Sequence, residues 1–253
     1  MKNAKTHCKL SKIMLMHYWK FTFRSLLFIS ALIIYIYNRI HHTGTYFSSF
    51  ENNPYFLSAI WIIFAVEMLL RFFPSHLESM GCQKQFPRNY HPTEKAKEEA
   101  VLLTPFRTFI VFAAWSVLNG LIGFLYYSHI IDEGILLLIS LAYSVCDLIC
   151  ILFFCPFQTW FMKNRCCCTC RIYNWDFAMM FTPLIFIRNA YAQTLVLFSL
   201  ILLFKWEYLL HRYPERFSEV TNSSLSCIEC QEKLCHHKAQ LKSFWKKHKG
   251  KLL

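Results

Sequence analysis

Between Phe21 and Leu210 the chain is a succession of long apolar runs separated by short polar connections. About 20 apolar residues in a helix match the ~30 Å hydrocarbon core of a bilayer, and in lipid the backbone must satisfy its own hydrogen bonds. Hydrophobic residues make up 55% of the chain and charged residues only 17%, whereas a soluble domain carries roughly a quarter charged. The expected class is therefore all-α, a polytopic integral membrane helix bundle. The first twenty residues are basic and polar, and no small-residue cleavage site follows the first run. That run reads as an anchor rather than a signal peptide.

Charge sets the expected topology. The net charge of +12 is concentrated in an N-terminal arm, a loop after the second run and a C-terminal tail. Residues 1–24 hold Lys2, Lys5, Lys9, Lys12, Lys20 and Arg24 without an acidic residue, which places the arm in the cytoplasm. Spans are expected at about 21–37, 55–73, 106–127, 134–154, 173–187 and 191–210. A cysteine-rich loop joins the fourth and fifth at 155–172, and a basic tail covers 212–253. Asp132-Glu133-Gly134 makes a turn free of Lys and Arg on the other side.

Residues 173–210 admit two topologies. Pro183 and Arg188-Asn189 interrupt an apolar stretch too long for one helix. Either 173–187 is a short, kinked fifth span, or it is re-entrant and only 191–210 crosses. The re-entrant option would put the lysine-rich tail outside, against the positive-inside bias. Six spans with both termini cytoplasmic, in a bacterial plasma membrane, is the expected arrangement. The lipid partners are the bilayer and, through HKAQLKSFWKKHKGKLL with its lysine face opposite Leu241, Phe244, Trp245 and Leu252, anionic headgroups, the alternative for this segment being a solvated basic tail.

Five of the twelve cysteines fall within the sixteen residues Cys155–Cys170. Given that topology, none lies in an external loop, so a disulfide framework is not expected. Two C-x-x-C units occur, Cys167–Cys170 and Cys227–Cys230, with Cys166, Cys168, Cys235 and His236 as further donors. Such spacing lets two thiolates converge on one ion. Two units complete a tetrahedral zinc site or hold an iron–sulfur cluster. Thiol–disulfide exchange is a second chemistry for the same spacing, and S-acylation of a juxtamembrane Cys run is a third.

Ionisable residues inside spans are costly and face the bundle interior. Glu67, Arg71, Asp147, Asp176 and Glu207 all map to the inner half or inner end of their spans. Glu67 and Arg71 share a helical face at i,i+4, as do Tyr143, Asp147 and Cys150. The set reads either as ion pairs that lock the bundle or as a polar path for protons or a cation.

No phosphate-cradling glycine loop, G-x-S-x-G or H-E-x-x-H is present, and the chain has only six glycines. Basic segments without an aromatic stacking platform argue against a nucleic-acid partner. Three functions follow. The first is a metal or iron–sulfur centre at the cytoplasmic face, serving membrane redox or electron transfer with a partner. The second is a cation or metal transporter using the inner carboxylates and the broken fifth span. The third is a non-enzymatic scaffold with acylated or structural cysteines.

Overall fold

A computed structural model describes residues 12–41, 54–74, 80–94, 105–164 and 166–226. These residues are almost wholly helical, with one isolated bridge between Pro92 and Asn222. The helices are α1 (Lys12–His41), α2 (Pro54–Leu70), α3 (Met80–Lys84), α4 (Pro105–Tyr127), α5 (Glu133–Leu152), α6 (Asp176–Phe181) and α7 (Ala190–Arg212). Four of them, α1, α4, α5 and α7, are long and apolar enough to cross a membrane, and α2 is a shorter apolar helix. Large apolar side chains such as Ile33, Phe109, Val117, Leu197 and Phe204 point outward, the surface expected of a bundle solvated by lipid.

Local chemistry fixes several boundaries. Asp132 caps α5, its Oδ1 accepting from the Ile135 amide at 2.9 Å, while Tyr35 donates to its other oxygen at 3.1 Å. Asn189 caps α7 by accepting from the Tyr191 amide at 2.9 Å. Such caps satisfy amides that a helix start leaves open. The segment between them is not one helix. It is built from 3-10 turns at Arg171–Trp175 and Thr182–Phe186 on either side of the six-residue α6. Pro183 has no amide to donate and cannot continue α6. Thr182 instead turns its hydroxyl onto the Ala178 carbonyl at 2.7 Å and accepts from Trp115 Nε1 at 3.2 Å.

Cross-contacts give each element a direction. Tyr18 and Phe21 meet Phe153 edge-on, and Tyr35 meets Asp132, so α1 and α5 are antiparallel. Ser58 pairs with Tyr191 at 3.1 Å, Trp61 with Thr194 at 2.8 Å, and Lys205 with the Phe72 carbonyl at 2.6 Å, so α2 and α7 run in parallel. Trp115 packs on Tyr143 and Tyr126 donates to Glu133, setting α4 against α5. The 171–186 segment starts at Glu207, which accepts from Trp175 Nε1 at 2.7 Å. It ends where Gln193 donates to the Ile187 carbonyl at 2.6 Å. Glu207 and Gln193 lie roughly 21 Å apart along α7, so the segment traverses most of the bundle's height. Gly123 lets its end come close, because a Cβ there would overlap the Phe186 ring.

One end of the bundle carries a cap. Residues 80–94, the loop 155–175 and residues 213–226 fold together there as short helical turns. Asn222, fully buried, is their hub. It donates to the carbonyls of Arg216 (2.9 Å) and Lys84 (3.2 Å) and accepts from the Ser224 amide and hydroxyl at 3.2 and 2.7 Å. Thr93 is tied to the same strip, its hydroxyl donating to the Val220 carbonyl at 2.7 Å. The expected soluble tail therefore begins as an ordered part of the cap.

Two boundaries differ from expectation. α1 starts at Lys12, so the first span and part of the basic arm are one helix of 30 residues. α2 ends at Leu70, leaving Arg71 in the turn beyond it. That turn lets the Arg71 side chain leave the α2 face and reach another element.

Candidate functional site

Two features meet at the capped end, a layer of buried charge and a thiol-lined cavity. The layer starts from Arg24, only 4% exposed. Its Nη2 lies 2.6 Å from Glu67 Oε2, and its Nη1 lies 3.4 Å from Asp147 Oδ2 and 3.1 Å from the Ser144 carbonyl. Lys20 adds a contact to Glu67 at 3.3 Å. Arg71 donates to Asp176 at 2.8 Å and stacks over Phe177, 4.6 Å from the ring centre. Arg171 holds Glu207 at 2.6 Å, with Trp175 as the second donor to that carboxylate.

Arg24 and Lys20 thus leave the role of a free cytoplasmic arm. Positive-inside counting absorbed both into topology, although their i,i+4 spacing inside an aromatic run was a helical signal. The expected Glu67–Arg71 pair is replaced. Glu67 goes to Arg24 and Lys20, and Arg71 goes to Asp176. Each carboxylate of the layer is therefore held by a cation from a different element. The layer sets Lys20, Arg24 and Arg71 against the carboxyl groups of Glu67, Asp147 and Asp176.

Beside this layer lies a cavity of about 450 Å³, lined by Cys146, Asp147, Cys150, Cys155, Cys167, Cys170 and Asp176 together with aromatic and apolar side chains. Tyr143 and Cys150, expected on the Asp147 face, line it too. Cys155, Gln158 and Cys167 form a chain along the wall. The Gln158 amide donates to Cys155 Sγ at 3.3 Å, and Cys167 Sγ donates to Gln158 Oε1 at 3.0 Å. A single turn of π-helix at Phe157–Phe161 presents Gln158 for both contacts.

The cysteine run divides between two surroundings. Cys167 and Cys170 face the cavity, and Cys170 is also packed among Val111, Met162 and Ile172. Cys166 is buried against Leu225 on the cap side, and Cys168 falls within the turn Cys167–Thr169. Cys227, Cys230, Cys235 and His236 lie outside the described residues. Among the described residues, no three Cys, His, Asp or Glu side chains converge as a metal-holding group.

Burial, with the neighbouring Cys155 and Cys167 thiols adding to it, pushes the Cys170 thiol up to about 12. Only the thiolate attacks an alkylating reagent. At pH 8 the thiolate fraction of Cys170 is then on the order of a thousandfold below that of an ordinary cysteine. Iodoacetamide at pH 8 is expected to leave Cys170 unmodified in the folded protein and to label it once the protein is denatured. Equal labelling of Cys170 in folded and denatured protein, by peptide mass spectrometry, would contradict the buried, protonated Cys170.

The chain matches no family model, no curated protein and no solved structure.

Proposed function

We propose that this chain is a six-span protein of the bacterial plasma membrane with both termini cytoplasmic. At its capped end it holds a zinc ion or an iron–sulfur cluster on thiolates, for membrane redox or electron transfer. The strict alternation of direction through α1, α2, α4, α5, the 171–186 segment and α7 supports six crossings over a re-entrant fifth segment. The capped end then faces the cytoplasm, where the basic arm and tail belong. The lysines of the tail suit anionic lipid on that side.

The observation that carries the metal reading is the return of residues 213–226 onto the cysteine loop. Leu225 packs against Cys166, two residues ahead of Cys227 and five ahead of Cys230. The described chain thus ends against the cysteine loop, one residue short of the tail's C-x-x-C in the sequence. Cys166, Cys167, Cys168 and Cys170 from the loop, and Cys227, Cys230, Cys235 and His236 from the tail, are the donor pool. Bound thiols give up their protons, so the centre forms more tightly as pH rises.

The transporter reading is weaker for a physical reason. Glu67, Asp176 and Glu207 each sit against an arginine at hydrogen-bonding distance, and a cation would have to displace those partners. A scaffold with acylated cysteines needs exposed thiols, whereas Cys166 and Cys170 are buried.

The test is direct. The protein, purified without oxygen in detergent, is expected to carry stoichiometric zinc or iron by elemental analysis, with broad visible absorption in the iron case. A metal-free preparation with every thiol open to alkylation would end the reading.

A further inference from the structure

We infer that Cys150 and Cys155 are a redox-active dithiol pair that passes two electrons to a quinone bound in the cavity they line. The inference goes beyond the metal reading, since neither thiol belongs to that donor pool. It stands or falls without the metal.

Five residues apart, the two cysteines would lie on different faces of a continuous helix. The end of α5 brings them together. The Phe153 and Phe154 amides both turn back to the Ile149 carbonyl, at 2.8 and 3.1 Å, and the chain leaves the helix there. Cys155 is thereby folded onto the last turn of α5, where the Cys150 thiol is hydrogen-bonded to it. The two are not joined as a disulfide. The Gln158 amide donates to Cys155 Sγ at 3.3 Å, a contact that strengthens when the sulfur carries negative charge. Cys155 is therefore the thiol suited to carry that charge, with Cys150 beside it to complete an S–S bond. On the cytoplasmic side, where structural disulfides are rare, thiol pairs that do close are usually transient and catalytic.

The cavity indicates what takes the electrons. Its volume is about 450 Å³, and Trp115, Tyr143 and Phe157 give it aromatic walls. Its lining includes Cys146, Ile149 and Phe154, which are also exposed on the outside of the bundle. A molecule dissolved in lipid can therefore enter from the side. Apolar walls with a few polar groups suit a flat, neutral ring. The Tyr143 hydroxyl makes no hydrogen bond among the described residues, so it can donate to a ring carbonyl. Asp147 and Asp176 lie in the same wall and disfavour an anionic oxidant such as glutathione disulfide.

The step balances in electrons and protons. Both S–H bonds break and one S–S bond forms between Cys150 and Cys155. The two electrons and two protons released turn the two carbonyls of the quinone into the two hydroxyls of the quinol.

The experiment uses the full chain in detergent, reduced, desalted without oxygen and mixed with duroquinone, whose fully substituted ring leaves thiols no open position for stable addition. About one quinol per chain is expected by ultraviolet absorbance, with a Cys150–Cys155 disulfide found by peptide mass spectrometry. Cys155→Ser is expected to form less than about a tenth of that quinol. Cys150 and Cys155 both still open to alkylation after quinone treatment would overturn the inference, and that measurement needs no variant.

Tyr143→Phe is expected to slow closure of the pair by duroquinone about tenfold, the effect of one lost hydrogen bond. Diamide, which does not need the cavity's donor, should still close the pair at the wild-type rate. Glutathione disulfide closing the pair as fast as duroquinone would overturn the assignment of a quinone.

Discussion

Replacing Arg24 by methionine is expected to destabilise the bundle by about 3–5 kcal/mol, the range for removing one partner from a buried ion pair. Methionine fills much of the volume of the arginine stem but supplies no donor. Glu67 would keep only Lys20, at 3.3 Å, and Asp147 would lose the guanidinium that faces it. Both carboxylates would then be undercompensated where water is scarce. The midpoint of denaturant-induced helix loss in detergent reads the effect.

Arg24→Lys should fall between the two, because one ammonium cannot span both carboxylates as the guanidinium does. Arg24→Met combined with Glu67→Gln and Asp147→Asn should recover a large part of the loss, since the charges left behind cause most of it. An Arg24→Met bundle within 1 kcal/mol of wild type would mean that water reaches this layer freely.

Asn222→Ala is expected to loosen the cap while leaving the bundle folded. The side chain donates to two carbonyls from separate segments and accepts from Ser224. Each buried polar group stranded by its removal costs about 1–3 kcal/mol. Two carbonyls, a hydroxyl and the Ser224 and His91 amides are affected, so a local loss of about 2–4 kcal/mol follows after some relaxation. Limited proteolysis should then cut within 80–94 and 213–226 at rates well above wild type, with the helix melting midpoint little changed. Asn222→Asp should be nearly as damaging, because a carboxylate oxygen would face two carbonyl oxygens. Cleavage rates equal to wild type would show that the cap does not depend on this hub.

Hydropathy resolved the long apolar helices well. The expected 106–127, 134–154 and 191–210 stretches fall within one or two residues of α4, α5 and α7, because runs of that length must be helical in lipid. Pro183 likewise marked a real break. The 3-10 turns around α6 were not visible, since the apolar pattern of 173–187 says nothing about which carbonyl each amide selects.

Charge was harder. A run of basic residues before an apolar block reports which side it lies on, but not which residue folds inward, and Arg24 was lost in that count. Glu67 and Arg71 had ideal in-helix spacing, yet helix termination at Leu70 and the presence of Asp176 gave Arg71 a stronger bidentate partner. For the cysteines, spacing showed which thiols share a turn. It was silent on their surroundings, which separate Cys166, packed on Leu225, from Cys167 and Cys170 at the cavity.

The pairing of cations with carboxyl groups in the Lys20–Arg24–Glu67–Asp147–Arg71–Asp176 layer has an electrical meaning. A voltage across a bilayer does work of about 2.3 kcal/mol per elementary charge per 100 mV. A lone arginine at that depth would be pulled on whenever the cell energised its membrane. Cations held against carboxylates at hydrogen-bonding distance present far less unbalanced charge to the field. The bundle is therefore less subject to being moved when the membrane is charged or collapsed.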